Sequence, residues 1–239
     1  MVRETFDLSF IASILPKLFQ ALPVTLGITA ASAAAGCLVG LLLTFGKLGA
    51  PKSVRAAVNG LTVLLRGIPT VVLLYLVYFG LPMLVQWLTG YDLSVWPKQI
   101  FVVIALSVEL AVISSEMFRS AYNSLGRGQL EAAHALGMTA RQRFLRIIVP
   151  QGLYVILPNL TSAVLALIQG TALAYTLGIM DIMGKARVLD TNAFNMKTLE
   201  SYAAVALLYW GISILTGRSF GMLEKYLGRG QRTAGAMQN

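Results

Sequence analysis

The chain carries one histidine, His134, and one cysteine, Cys37, beside ten carboxylates in 239 residues. A catalytic triad would have to use His134, yet that residue stands close to Glu131 in a polar stretch, and no G-x-S-x-G elbow presents a serine. Cys37 lies among alanine, glycine and leucine with no second cysteine to pair, and no His/Cys cluster has metal-ligand spacing. No Walker A loop is present for a nucleotide. The sequence therefore shows no catalytic or metal centre of its own.

Polar groups in apolar surroundings are better candidates. Ile100–Phe118 has the length and apolarity of a membrane span but holds Glu109 about half way along. A carboxylate there is costly unless it faces water, pairs or is protonated. Glu109 either lines a polar pathway, where it would meet a substrate ammonium, or is protonated and hydrogen-bonded to Ser107 or to a Thr or Gln of a neighbouring helix. Glu116 and Arg119 stand i to i+3 on one helix face, which predicts an ion pair with a structural or gating role. Arg66, with Gly67 and Pro69, predicts a helix break near an interface, its guanidinium snorkelling to headgroups or touching a partner chain. Gln169 and Thr171 fall in the run Ile147–Met180, longer than one span and holding Pro158 and Gly170. It predicts a full helix and then a short broken segment, with these two residues at a pathway or gate.

The polar stretch Glu131–Pro150, EAAHALGMTARQRFLRIIVP, lies between long apolar runs. Glu131 is expected at the front of a short alanine-rich helix, where a carboxylate suits the positive end of the dipole. Ala132, Ala133 and Ala135 give that helix a small profile able to enter a shallow groove. Gly137 allows a turn into a second, basic helix over Thr139–Arg146, and Pro150 ends the loop. Arg141, Arg143 and Arg146 would pair with acidic or lipid groups; taken alone, the stretch also fits a surface helix on anionic headgroups.

These residues need a membrane scaffold. Hydrophobic residues make up 56% of the chain and charged residues 12%, against about one quarter charged in a soluble domain. Uncharged intervals at Leu18–Gly46, Gly67–Tyr91, Ile147–Met180 and Ser201–Gly217 each suffice for a span, and Ile100–Phe118 makes a fifth. Uninterrupted apolar runs exclude barrel strands, so the expected fold class is an all-α integral membrane protein of about five helices. Met1–Gln20 contains Arg3, Glu4, Asp7 and Lys17 and lacks the compact basic and apolar regions of a signal peptide, so the first helix is read as retained.

Lysine and arginine then orient the helices. They concentrate in Gly46–Ala56, Arg119–Arg146 and Gly217–Asn239, while the alternate segments balance theirs with carboxylates. This predicts an extracytoplasmic N-terminus and a cytoplasmic C-terminus. The formal charge of +9 thus follows from topology, since the basic residues alternate by loop and form no single stripe for nucleic acid. The expected organisation is an extracytoplasmic segment 1–20, a transmembrane domain 21–220 with a cytoplasmic loop 127–150, and a basic tail 221–239.

The loop resembles the EAA motif of ABC importer permease subunits: Glu-Ala-Ala, three residues, Gly, nine residues, Ile-x-Leu-Pro. It falls here on Glu131, Ala132, Ala133, Gly137, Ile147 and Pro150, with Val149 for the leucine. Arg66-Gly67-Ile68-Pro69, Gly128-Gln129, Glu116-Met117-Phe118-Arg119 and the tail Glu224–Gly230 resemble features of the polar amino-acid permeases of the histidine, glutamine and glutamate type. MFRSAY at Met117–Tyr122 and DIMGKA at Asp181–Ala186 look most like cystine-type permeases. The chain departs from the subfamily at Glu109, where asparagine is common, and at Gln169–Ala172, where Lys-Asp-Thr-Ser is common.

The resemblance implies a type I importer permease fold in the bacterial cytoplasmic membrane. It implies a second permease subunit, identical or homologous, two ABC ATPases that hold ATP and magnesium, an extracytoplasmic binding protein, and no cofactor on this chain. The motif residues Glu131, Ala132, Ala133 and Gly137, with Arg141 and Arg143, would couple to the ATPase. Two other readings remain: an ion-coupled secondary transporter using Glu109, and a membrane-anchored interaction protein.

Overall fold

The computed structural model describes residues 6–235. Arg3 and Glu4, named above in the reading against a signal peptide, lie outside them, as do the last four residues of the basic tail. Five helical stretches are long and apolar enough to cross a membrane: Leu22–Leu48, Thr70–Thr89, Lys98–Ser124, Ala140–Leu177 and Thr198–Leu227. They are the five expected.

Helix α1 (Leu8–Phe19) was not foreseen within the N-terminal segment. Asp7 caps it, Oδ1 accepting from the backbone N–H groups of Ser9 at 3.0 Å and Phe10 at 3.1 Å. These bonds hold the Asp7 carboxyl below the ordinary carboxylate range, with the Ser9 contact the largest cause. α1 packs Ile11, Ile14 and Leu18 against α10 (Ile182–Asn192) and α11 (Thr198–Gly235) in one apolar cluster. Lys197, 3.5 Å from Asp7 and 3.9 Å from Glu200, clips the start of α1 to the start of α11.

The second apolar cluster is built on α2 (Leu22–Leu48), α4 (Thr70–Tyr75), α6 (Lys98–Ser124) and α9 (Val149–Thr171). Apart from Ile28, the buried stripe of α2 is glycine and polar residues: Thr25, Thr29, Ser32, Gly36, Gly40, Thr44 and Lys47, recurring every three or four residues. In a bilayer, apolar side chains gain little by leaving lipid, so small residues that let backbones approach favour association. A Cβ at Gly36 would stand 2.8 Å from the Leu110 Cβ, and one at Gly40 would overlap the Ser114 hydroxyl. Ser114 Oγ, 3.2 Å from the Gly36 carbonyl, and Thr44 Oγ1, 3.1 Å from that of Ser115, tie α2 to α6.

Between α2 and α4 lies a short amphipathic helix, α3 (Lys52–Arg66), also unforeseen. It ends at Arg66, and Pro69 precedes α4, so the expected break at Arg66–Pro69 is present. A π-turn at Leu76–Gly80 joins α4 to α5 (Leu81–Thr89). α9 runs through Pro158 and then tightens into a 3-10 segment at Ala172–Leu177, the broken end expected there.

Candidate functional site: the loop hairpin and the charged helix ends

The loop between α6 and α9 is a helical hairpin. α7 (Arg127–Ala135) begins after Gly126 and closes with Gly137 in the left-handed region, φ +72°. The N–H of Gly137 donates to the His134 carbonyl at 2.9 Å and that of Met138 to the Ala133 carbonyl at 3.1 Å, the paired bonds of a Schellman ending. Thr139 immediately opens α8 (Ala140–Arg143) with a capping box: Gln142 N–H donates to Thr139 Oγ1 at 3.3 Å, and Thr139 N–H to Gln142 Oε1 at 2.8 Å. These four bonds fix the turn between the two helices.

Three expectations for this loop are corrected. α7 starts four residues before Glu131, so Glu131 stands mid-helix and exposed, away from the dipole end, and makes no hydrogen bond among the described residues. Ala133 is 3% exposed and already buried within the chain, leaving Ala132 and Ala135 to present the small surface. The second helix does not end at Arg146, and Pro150 does not mark a break: α8 passes through a π-turn at Phe144–Ile148 straight into α9, and Pro150, which has no N–H to donate, follows directly on that wider turn. The hairpin is thus continuous with a membrane span. Arg143 folds back, donating to the Met138 carbonyl at 2.8 Å and lying 3.0 Å from His134 Nδ1, whereas Arg141 and Arg146 stay exposed.

Glu116 and Arg119 form the expected ion pair at 2.7 Å. The other Glu116 oxygen lies 2.6 Å from Lys47 Nζ, which also donates to Ser115 Oγ at 2.8 Å. Lys47 was read only as a topological charge. It closes the buried stripe of α2 in register, and that spacing was the signal available to find it. Glu109 accepts from Thr70 Oγ1 at 2.9 Å, and its second oxygen makes no hydrogen bond among the described residues. The partner is a neighbouring threonine, and Ser107 is turned instead to the Val103 carbonyl.

Gln169 is exposed, while Thr171 is fully buried, its hydroxyl donating to the Ile168 carbonyl and lying 3.4 Å from the Tyr209 hydroxyl. The two residues therefore do not converge. Tyr209 donates to Asp181 Oδ2 at 3.4 Å, and Asp181 Oδ1 accepts from Gly184 N–H at 2.8 Å, capping α10. Burial pushes the Asp181 carboxyl up to about 6 from an ordinary 3.8. The folded chain thus holds the proton longer than the unfolded one, and stability falls as pH rises through this window, by about 3 kcal/mol in all. Asp181→Asn keeps a capping oxygen without a buried charge. Its thermal midpoint is expected to match the native one near about pH 4 and to exceed it above about pH 6; a gap independent of pH would contradict this.

Residues 27–229 match the family described as the inner membrane component of binding-protein-dependent transport systems. The chain is 34% identical over 234 residues to the probable amino-acid permease protein YxeN of Bacillus subtilis (strain 168), covering 96% of this chain and 100% of that protein. It is 30% identical over 230 residues to the L-cystine transport system permease protein TcyL of the same organism, covering 96% and 95%. To the arginine ABC transporter permease protein ArtQ of Haemophilus influenzae it is 32% identical over 218 residues, covering 91% and 96%. Its fold is similar to a chain in the crystal structure of an amino acid ABC transporter with histidines, with TM-score 0.78, 24% identity, and 93% of this chain and 99% of that chain covered.

Proposed function

Since the chain belongs to the inner membrane component family of binding-protein-dependent transport systems, we propose that it is the permease subunit of an ATP-driven importer of cystine or another polar amino acid. It is a multi-pass inner-membrane transport subunit and not an enzyme. The observation that carries the proposal is the hairpin of α7 and α8, rigid at both caps and continuous with α9. A rigid helix fused to a span transmits displacement, whereas a flexible loop would absorb it. Ala132, Ala135 and Arg141 face outward to dock in an ATPase cleft, with Glu131 beside them, and Gly137 sets the angle between the two helices.

The partners proposed are a second permease, identical or homologous, two ABC ATPases that hold ATP and magnesium, and an extracytoplasmic binding protein. The lysine and arginine distribution supports placing the hairpin in the cytoplasm. Names of similar proteins include both cystine and arginine systems, and Glu109 suits a substrate that brings an ammonium group. Thr70 holds one of its oxygens and leaves the other for a ligand.

The test is uptake of radiolabelled cystine and arginine into proteoliposomes holding the complete importer, with ATP inside or omitted. Uptake of either substrate only with ATP supports the proposal, and accumulation driven by an ion gradient without ATP would establish the secondary transporter. Glu109→Gln is expected to lower uptake about tenfold while the complex still assembles, as loss of a charge-assisted contact implies. Native affinity and rate in that variant would remove Glu109 from the pathway.

A further inference from the structure

The second charged feature is a cavity that the transport reading does not use. It has a volume of about 560 Å³ and lies where the ends of α2 and α6 meet α3. Arg55, Asn59, Thr62 and Arg66 line it from α3, at spacings of four, three and four that place them on one helix face. Glu116, Arg119 and Asn123 face them from α6, and Lys47 closes the floor.

The charges do not balance. Lys47, Arg55, Arg66 and Arg119 meet a single carboxylate, Glu116, already shared between Lys47 and Arg119. Arg55 has only the Ala50 carbonyl at 3.5 Å, and Arg66 makes no hydrogen bond or ion pair among the described residues. Two guanidinium groups thus line one polar cavity with all but one of their donors uncommitted among the described residues. A guanidinium fork matches the oxygens of a phosphate, and Asn59 and Asn123 add neutral donors.

The surroundings distinguish a lipid phosphate from a free one. Beside the polar face of α3, Val63 is 71% exposed and forms the cavity's apolar rim with Leu48, and the apolar surface continues round the helix to Leu64 and Leu61, exposed at 63% and 50%. Lys47 and Arg119 lie near the ends of apolar spans, the level at which headgroups sit. We propose that this cavity is a binding site for the phosphate headgroup of an anionic phospholipid, with its acyl chains along the apolar flank of α3. The bound lipid neutralises the cations between α3 and α6 and fixes α3, and with it the start of α4, against the bundle.

The test is native mass spectrometry of the full chain released from detergent, titrated with phosphatidylglycerol or with phosphatidylcholine of the same acyl chains. The native chain is expected to retain phosphatidylglycerol at least about tenfold more tightly, and the exposed pair Arg55→Gln/Arg66→Gln to lose about that preference. Arg218→Gln, an exposed arginine on α11, should keep it. Inorganic phosphate is titrated in parallel. Equal retention of the two lipids, an equal loss in Arg218→Gln, or phosphate binding that displaces phosphatidylglycerol at comparable concentration would overturn the proposal. The measurement involves no transport, so its outcome is independent of the importer assignment.

Discussion

Gly137→Val is expected to reduce ATP-driven uptake about tenfold or more while leaving the protein in the membrane and folded. The cost is a backbone cost. A Cβ on Gly137 would meet nothing within 4 Å, so the substitution creates no clash. A β-branched residue at φ +72° is instead strained by about 1–2 kcal/mol. The two-helix hairpin relieves that strain by opening its turn, giving up the bonds from Gly137 and Met138 and re-aiming α7 relative to α8. The spans do not depend on this turn, so the thermal midpoint should move by only a few degrees. Asparagine tolerates the left-handed region, and Gly137→Asn should keep most of the uptake. Uptake by Gly137→Val at the native rate would sink the idea that the fixed turn couples the hairpin to transport.

The same hairpin shows how far the sequence could be read. Five spans were legible because each buries its backbone within itself and needs only length and apolarity to announce it. Gly137 was legible because a glycine between an alanine-rich and a basic run has few other uses. The start of α7 was misread because Glu131 offered an attractive dipole argument, while the chain caps the helix earlier, at Gly126, with no side-chain cap. Thr171 was assigned to a gate from neighbouring glycine and glutamine, but which side of a helix faces a cavity depends on packing, and its hydroxyl is turned toward Tyr209 on α11.

Long-range pairs were the least legible. Thr70 meets Glu109 across 39 positions, and Lys47 meets Glu116 across 69; no local spacing rule connects either pair. The amphipathic face of α3 was visible in principle, since Arg55, Asn59, Thr62 and Arg66 follow helical spacing. Counting Lys52 and Arg55 as topological charges hid it, because a charge count discards the face on which each charge lies. The polar stripe of α2 was hidden likewise by its apolar average: apart from Ile28 its buried side is threonine, serine, glycine and lysine, and its leucines at 38 and 42 face outward.

The ion pair at the foot of that stripe has unequal partners, so its two deletions should differ. The Lys47 side chain is 1% exposed and has one carboxylate within reach, whereas Glu116 is 26% exposed and keeps Arg119 whatever happens to Lys47. Glu116→Gln therefore leaves a buried ammonium facing only an amide oxygen and the Ser115 hydroxyl. Removing one partner of a buried pair costs about 3–5 kcal/mol, and the partial exposure of Glu116 argues for the lower figure of about 3. For a chain of this size that is a fall of roughly 6–12 °C in the unfolding midpoint. Lys47→Met removes the buried charge itself, fills similar volume and leaves Glu116 with its arginine, so its cost should stay below about 1 kcal/mol. The double variant Lys47→Met/Glu116→Gln should then recover most of the stability that Glu116→Gln loses, a coupling of about 2 kcal/mol in a double-mutant cycle read from detergent unfolding. Equal losses in the two single variants would mean that the pair is governed by solvent-screened attraction and not by the burial of Lys47.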